Sequence, residues 1–294
     1  MTTESPITFI DHSGHRCLKL VTVHGIAIVA LHGGHVVSWV PKGQHDVFWL
    51  SPMALPEPAA IRGGVPVCWP WFAKQDMPAG AMQHGPVRNT QWHLSAVLSA
   101  GPESVELELR PAPANEADST MAFTRGLDVA LRICLRETLE QTLTTTNLRA
   151  TPFSLTQALH SYFAVGDVQQ VHVDGLEGAQ VVSRLEPLQS QTQAGPVMTG
   201  EACDSTYCFD VEQPAFHYQL VDAAWRRTIT LEVSGSRSMV VWNPGQVGAK
   251  TMVDVPSAAW KDFICVEASN AGDDVVLLEP GGSHSLRQWL SCKA

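Results

Sequence analysis

The sequence predicts an all-β protein, a large antiparallel sandwich with few short helices. Three observations predict it. Short apolar or alternating runs recur along the chain, and no segment carries an apolar stripe at helical spacing over three turns. There are 22 glycines and 19 prolines in 294 residues, which favours many turns over long helices. A hydrophobic share of 45 % can fill a sizeable core, and the charged share of 16 % is low, below the usual fraction of about a quarter. No composition break, linker or fixed repeat divides the chain, so residues 1–294 are expected to form a single domain.

In chain order, Ile26–Leu31 and His35–Val40 read as strands. Between them His32-Gly33-Gly34-His35 reads as a turn; the same histidines with His24 and His45 offer a weaker metal reading, since no Cys or acidic set accompanies them. Val47–Leu50 is a further apolar run. From Leu50 to Trp92 the chain holds seven prolines and four glycines but also Trp69, Trp71, Phe72 and Trp92, too aromatic for a disordered linker, and reads as ordered structure over a sheet face. For each ring alone, core capping is the commoner role. Ser104–Arg110 and Leu127–Leu135 alternate apolar with charged residues, as strands with one covered face do. Arg110–Ser119 reads as an exposed loop, Pro152–Leu159 as a strand, and Thr228–Val233, Met239–Trp242, Phe263–Ala268 and Val275–Leu278 as further strands.

The formal charge of −10, without a basic run, argues against nucleic acid as a partner. An anionic ligand would need a local arginine cluster working against the field of the whole molecule. The start MTTESPITFIDHSGHRC lacks a signal-peptide pattern, and no stretch reaches the roughly 18 apolar residues of a membrane span. Seven cysteines without CxxC spacing read as free thiols of a reducing compartment. A cytoplasmic monomer, without membrane contact, is expected.

Four segments combine reactive groups with rigid surroundings: Arg62 to Phe72, Gln83 to Asn89, His160-Ser161-Tyr162-Phe163 and Cys265-Val266-Glu267-Ala268. Glu267 interrupts an apolar strand, so it is either a buried carboxylate with a purpose or a strand-end Glu facing water. His160 suits proton donation near neutral pH, although for a histidine taken alone a structural role is the commoner one. Arg62 precedes Gly63-Gly64, which permit positive φ and close backbone approach, and Arg88 follows Pro86. Two phosphate-binding forks or two solvated arginines both fit.

Together and in this order, with Trp242-Asn243-Pro244 and Trp260 to Glu267, these segments resemble the glucose-6-phosphate 1-epimerase family, the D-hexose-6-phosphate mutarotases of the galactose mutarotase-like superfamily. The resemblance covers nearly the whole chain. It implies a supersandwich of large antiparallel sheets and an isomerase that exchanges the anomers of a phosphorylated hexose. It further implies His160 as general acid, Glu267 as general base, and Arg62, Gln83, His84, Arg88 and Asp204 as substrate contacts. Acid and base are expected to face each other across a single sugar-sized groove. No metal or other cofactor is called for, since one acid and one base suffice. The chain departs from the family pattern at Pro86-Val87, at Ser205 after Asp204 and at Gly245. An aldose 1-epimerase for neutral sugars and a noncatalytic carbohydrate-binding protein are the competing readings.

Overall fold

The alternating runs become strands that turn their leucines and valines inward: Leu107 and Leu109 of Val105–Pro111, and Leu131 and Ile133 of Leu127–Leu135, are wholly buried. Their outward partners pair with one another, Arg110 with Glu108 and Asp128. A computed structural model describes residues 5–112, 121–186 and 191–293. The expected loop at 110–119 therefore lies, from 113 onward, outside the described residues.

Two large antiparallel sheets share one hydrophobic core. One has nine strands, in the order Val197–Met198, Val171–Asp174, Phe216–Asp222, Arg227–Ser234, Ser283–Lys293, Leu139–Asn147, Leu127–Leu135, Val105–Pro111 and Trp92–Ala100. The other has eight, and its middle is formed by Cys203–Cys208, Ser238–Asn243, Phe263–Asn270 and Gln157–Leu159. The first 41 residues contribute a four-stranded meander from Ile7 to Pro41. Among the described residues the sole α-helix is Gly245–Ala249. None is long and apolar enough to cross a membrane.

Three segments differ from expectation. Val47–Leu50 is not a strand; Phe48 makes a single bridge to Phe163, in the three-residue strand Tyr162–Ala164, and Leu50 makes one to Gly63 in the Gly63-Gly64 turn. Pro152–Leu159 splits into Phe153–Leu155, paired with Val276–Leu278, and Gln157–Leu159, paired with Phe263–Asn270, with Thr156 between them accepting a bond from the Phe72 amide. Within Leu50–Trp92, Val67–Cys68 joins the edge of the eight-stranded sheet beside Gln157–Leu159 instead of merely lying over a face.

A polar seam crosses the core. The Ser161 hydroxyl donates to Gln288 of the nine-stranded sheet, whose amide donates to Gln141 on the neighbouring strand of that sheet. Trp69 reaches Thr145 through its indole N–H. These groups are buried, and each bond offsets the desolvation of its members. The seam ties the residue next to His160 to the opposite sheet.

Candidate active site

All seven residues that the sequence marked, Arg62, Gln83, His84, Arg88, His160, Asp204 and Glu267, line a single cleft of about 270 Å³. Four separate parts of the fold bring them there. Glu267 lies in the Phe263–Asn270 strand, every residue of which is buried. His160 follows the neighbouring Gln157–Leu159 strand, held by its backbone N–H to Pro66 O. Arg62 sits before the Gly63-Gly64 turn, where φ is +106° and +61° and an added Cβ would strike the Trp49 and Val36 carbonyl oxygens. Only glycine fits there. His35, fully buried, donates from Nε2 to Gly63 O at 2.6 Å and fixes this turn from behind.

The floor is a contact between His160 and Glu267. His160 Nε2 lies 3.3 Å from Glu267 Oε1, with the residues 7 % and 1 % exposed, so Glu267 is not the solvent-facing strand end that its residue type favours. The two stand side by side. His160 stacks on Tyr162 at 4.9 Å and 9°. Glu267 Oε2 and His160 Nδ1 have no hydrogen-bond partner. Burial raises the Glu267 carboxyl well above its usual range, helped by Asp204 and opposed by Arg184 and Arg88. Burial lowers His160 well below its usual range, helped by His84, Arg88 and Arg62. Each is driven toward its neutral form, in which the carboxyl holds one proton; moved to the imidazole, that proton leaves a carboxylate beside an imidazolium.

Around this floor stand three guanidiniums in a molecule of net charge −10. Arg62 donates from Nε to Asp254 at 2.9 Å and from NH1 to the Tyr162 hydroxyl at 2.8 Å. Arg184 donates to Asp204 at 2.5 Å and to Thr206 at 3.1 Å. Arg88 is buried, its Nε is unpartnered, and among the described residues it makes no ion pair. His84 accepts from the Ala73 amide at Nδ1, so its proton sits on Nε2, next to Gln83. Burial and the three arginines lower His84 to about 3, keeping it a neutral donor.

The model of the aldose 1-epimerase family matches residues 18–291. The chain belongs to the aldose 1-epimerase family. A relative from Cenchrus ciliaris, provisionally named a glucose-6-phosphate 1-epimerase, is 32 % identical over 267 residues, covering 87 % of this chain and 78 % of its own. One from Escherichia coli K12 with the same provisional name is 32 % identical over 254 residues, covering 84 % and 80 %. The crystal structure of a protein from Salmonella typhimurium, provisionally described as a mutarotase, superposes with a TM-score of 0.87 at 27 % identity, covering 99 % of this chain and 95 % of that one.

In this member of the aldose 1-epimerase family, six further residues line the cleft beside the seven that the sequence marked: Phe72, Ala73, Tyr162, Arg184, Val240 and Trp242. Tyr162 and Phe72 lay inside quoted motifs. Arg184 had no local signal; it reaches the cleft because Ser183 pairs with Ser205 across the sheet. A cation therefore faces Asp204. Trp69 and Trp71 do not line the cleft; both are buried, bonded to Thr145 and the Met82 carbonyl. The histidines near residue 32 scatter: His32 bonds Ala59 O, His35 Gly63 O, His24 Glu103, and His45 stacks on Trp225. Among the described residues the one group with metal-ligand spacing is His160, Cys265 and Glu267.

Proposed function

We propose that the protein is a hexose-6-phosphate 1-epimerase, an isomerase that interconverts the α and β anomers of glucose 6-phosphate or a related phosphohexose. The observation that carries this reading is the buried contact of His160 with Glu267 beneath a wall of arginines. The reacting oxygens, O1 and the ring oxygen, are bonded to the same carbon, so the groups serving them must lie within a few ångströms of each other. A pair in contact meets that need; groups on opposite walls would not.

In the reactive form Glu267 is the carboxylate and His160 the imidazolium. Glu267 takes the O1 hydroxyl proton as the C1–O1 bond becomes a carbonyl, and His160 gives its proton to the ring oxygen as the C1–ring oxygen bond breaks. Rotation about C1–C2 turns the other face of the aldehyde toward the ring hydroxyl. The reverse transfers close the ring and restore both residues. Electrons and protons balance without metal or redox cofactor, and the reading takes the enzyme as a cytoplasmic monomer. Arg62 and Arg88 bind the phosphate, with Gln83, His84 and Asp204 on the sugar hydroxyls. Arg88, free of a carboxylate, contributes the most to anion affinity.

The competing reading, a neutral aldose as substrate, draws on the pairing of Arg62 and Arg184 with Asp254 and Asp204. Measured kcat/KM for glucose 6-phosphate and for glucose separates the two. Charge-assisted bonds to phosphate should favour the phosphosugar about a hundredfold or more, with most of that ratio lost in Arg88→Ala. Equal values for both sugars would favour the neutral substrate.

A further inference from the structure

Behind the two residues of the cleft floor, in the adjoining core, lies a third donor that epimerisation does not use. Cys265 lies two residues before Glu267 in the same strand, so both side chains leave the same face. It is a free thiol, fully buried. One donor atom each from His160, Cys265 and Glu267 lies within 4.8 Å of the other two.

Imidazole, thiolate and carboxylate are the donors zinc selects, at about 2.0–2.3 Å in a tetrahedron, which sets ligand atoms roughly 3.3–3.5 Å apart. The His160 Nε2 to Glu267 Oε1 distance of 3.3 Å already equals such an edge. A second observation points the same way: Glu267 Oε2 is buried without a hydrogen-bond partner, as is His160 Nδ1. Unmet buried acceptors are rare in folded proteins. His160 and Glu267 line the cleft, so water or a sugar oxygen could reach a cation held by them from that side. Two features limit affinity. The cleft's guanidiniums oppose a dication, and His160 Nδ1 lacks the acceptor that usually orients a ligating histidine. The balance describes a reversible inhibitor, not a resident cofactor.

We propose that His160, Cys265 and Glu267 form an inhibitory site for a soft divalent cation, zinc in the first instance, which binds one donor from each residue and blocks epimerisation by occupying acid and base together. Binding forms a metal–sulfur bond and releases the thiol proton to solvent. The ligand set rests on geometry alone, whereas the inhibition rests on the acid–base reading above.

Cobalt(II) tests the ligand set, since thiolate ligation gives a near-ultraviolet charge-transfer band. The expected result is a band that saturates at one equivalent in the wild type, is chased by zinc, and is absent in Cys265→Ser. In parallel, zinc should inhibit wild-type turnover reversibly on chelation, and Cys265→Ser should raise the half-inhibiting zinc concentration about tenfold or more with its metal-free turnover intact. Should Cys265→Ser fold poorly, His160→Asn serves in the cobalt titration and should weaken the band similarly. No thiolate band in the wild type, or equal zinc sensitivity in Cys265→Ser, would overturn the proposal. A one-equivalent band without loss of turnover would leave the ligand set standing and overturn the acid–base reading instead.

Discussion

At the scale of residues, the site is a compromise between burial and charge. Glu267 costs stability where it stands, because a buried carboxyl with an unpartnered oxygen has no compensating bond. Glu267→Gln keeps the shape and removes the ionisation. It should lower kcat by about 10²–10⁴-fold, the usual contribution of a positioned base, with a Tm equal to or above that of the wild type. Full turnover in Glu267→Gln would end the proposed role. His35 illustrates the same tension in a supporting residue. Burial lowers it to about 3, against about 6.5 for an unfolded chain. The unfolded state therefore takes up a proton first as pH falls, so the stability contributed by neutral His35 is complete above about 6.5 and is lost progressively toward 3. His35→Gln retains a donor for Gly63 O, and its loss of stability between pH 7.5 and 5.0 should be smaller by about 2 kcal/mol in urea unfolding. An unchanged difference would place the acid sensitivity elsewhere.

At the scale of elements, what could be read depended on which side chains face the core. Val105–Pro111 and Leu127–Leu135 were legible because their inward positions are leucine, isoleucine and valine. Leu139–Asn147 was not, because its inward positions include Gln141, Thr145 and Asn147, and the alternation is visible only in burial. Gln141 and Thr145 belong to the polar seam, and Asn147 donates to the Thr151 and Leu278 carbonyls. Gln288→Ala would leave the Ser161 hydroxyl and the Gln141 carbonyl without their partners, which should cost about 2–4 kcal/mol in chemical denaturation. A cost near zero would mean that the seam does not support the core. Arg184 was illegible for a related reason. The pairing of Gln180–Ser183 with Cys203–Cys208 spans some twenty residues and a turn, and no local pattern encodes that register.

At the scale of the whole molecule, the sheets bring residues from both halves of the chain into one cleft: Arg62 and Arg88 from its first third, His160 from the middle, Glu267 from near the end. The seven expected residues were identifiable through motif order and not through any one residue's surroundings, in which a structural His was the commoner reading and a solvated Arg was equally open. That all seven meet in one place is a property of the fold, and the single domain of residues 1–294 is the reading we propose for it. The same arrangement sets an anion-attracting wall inside a molecule of charge −10, so recognition of a phosphosugar must be local. The central claim is that this cleft moves protons on and off a hexose phosphate. Two-dimensional NMR exchange spectroscopy of glucose 6-phosphate reads it directly. With catalytic amounts of the purified protein, cross-peaks between the α and β anomeric protons should build up far faster than in buffer. Exchange no faster than the spontaneous rate would contradict the claim.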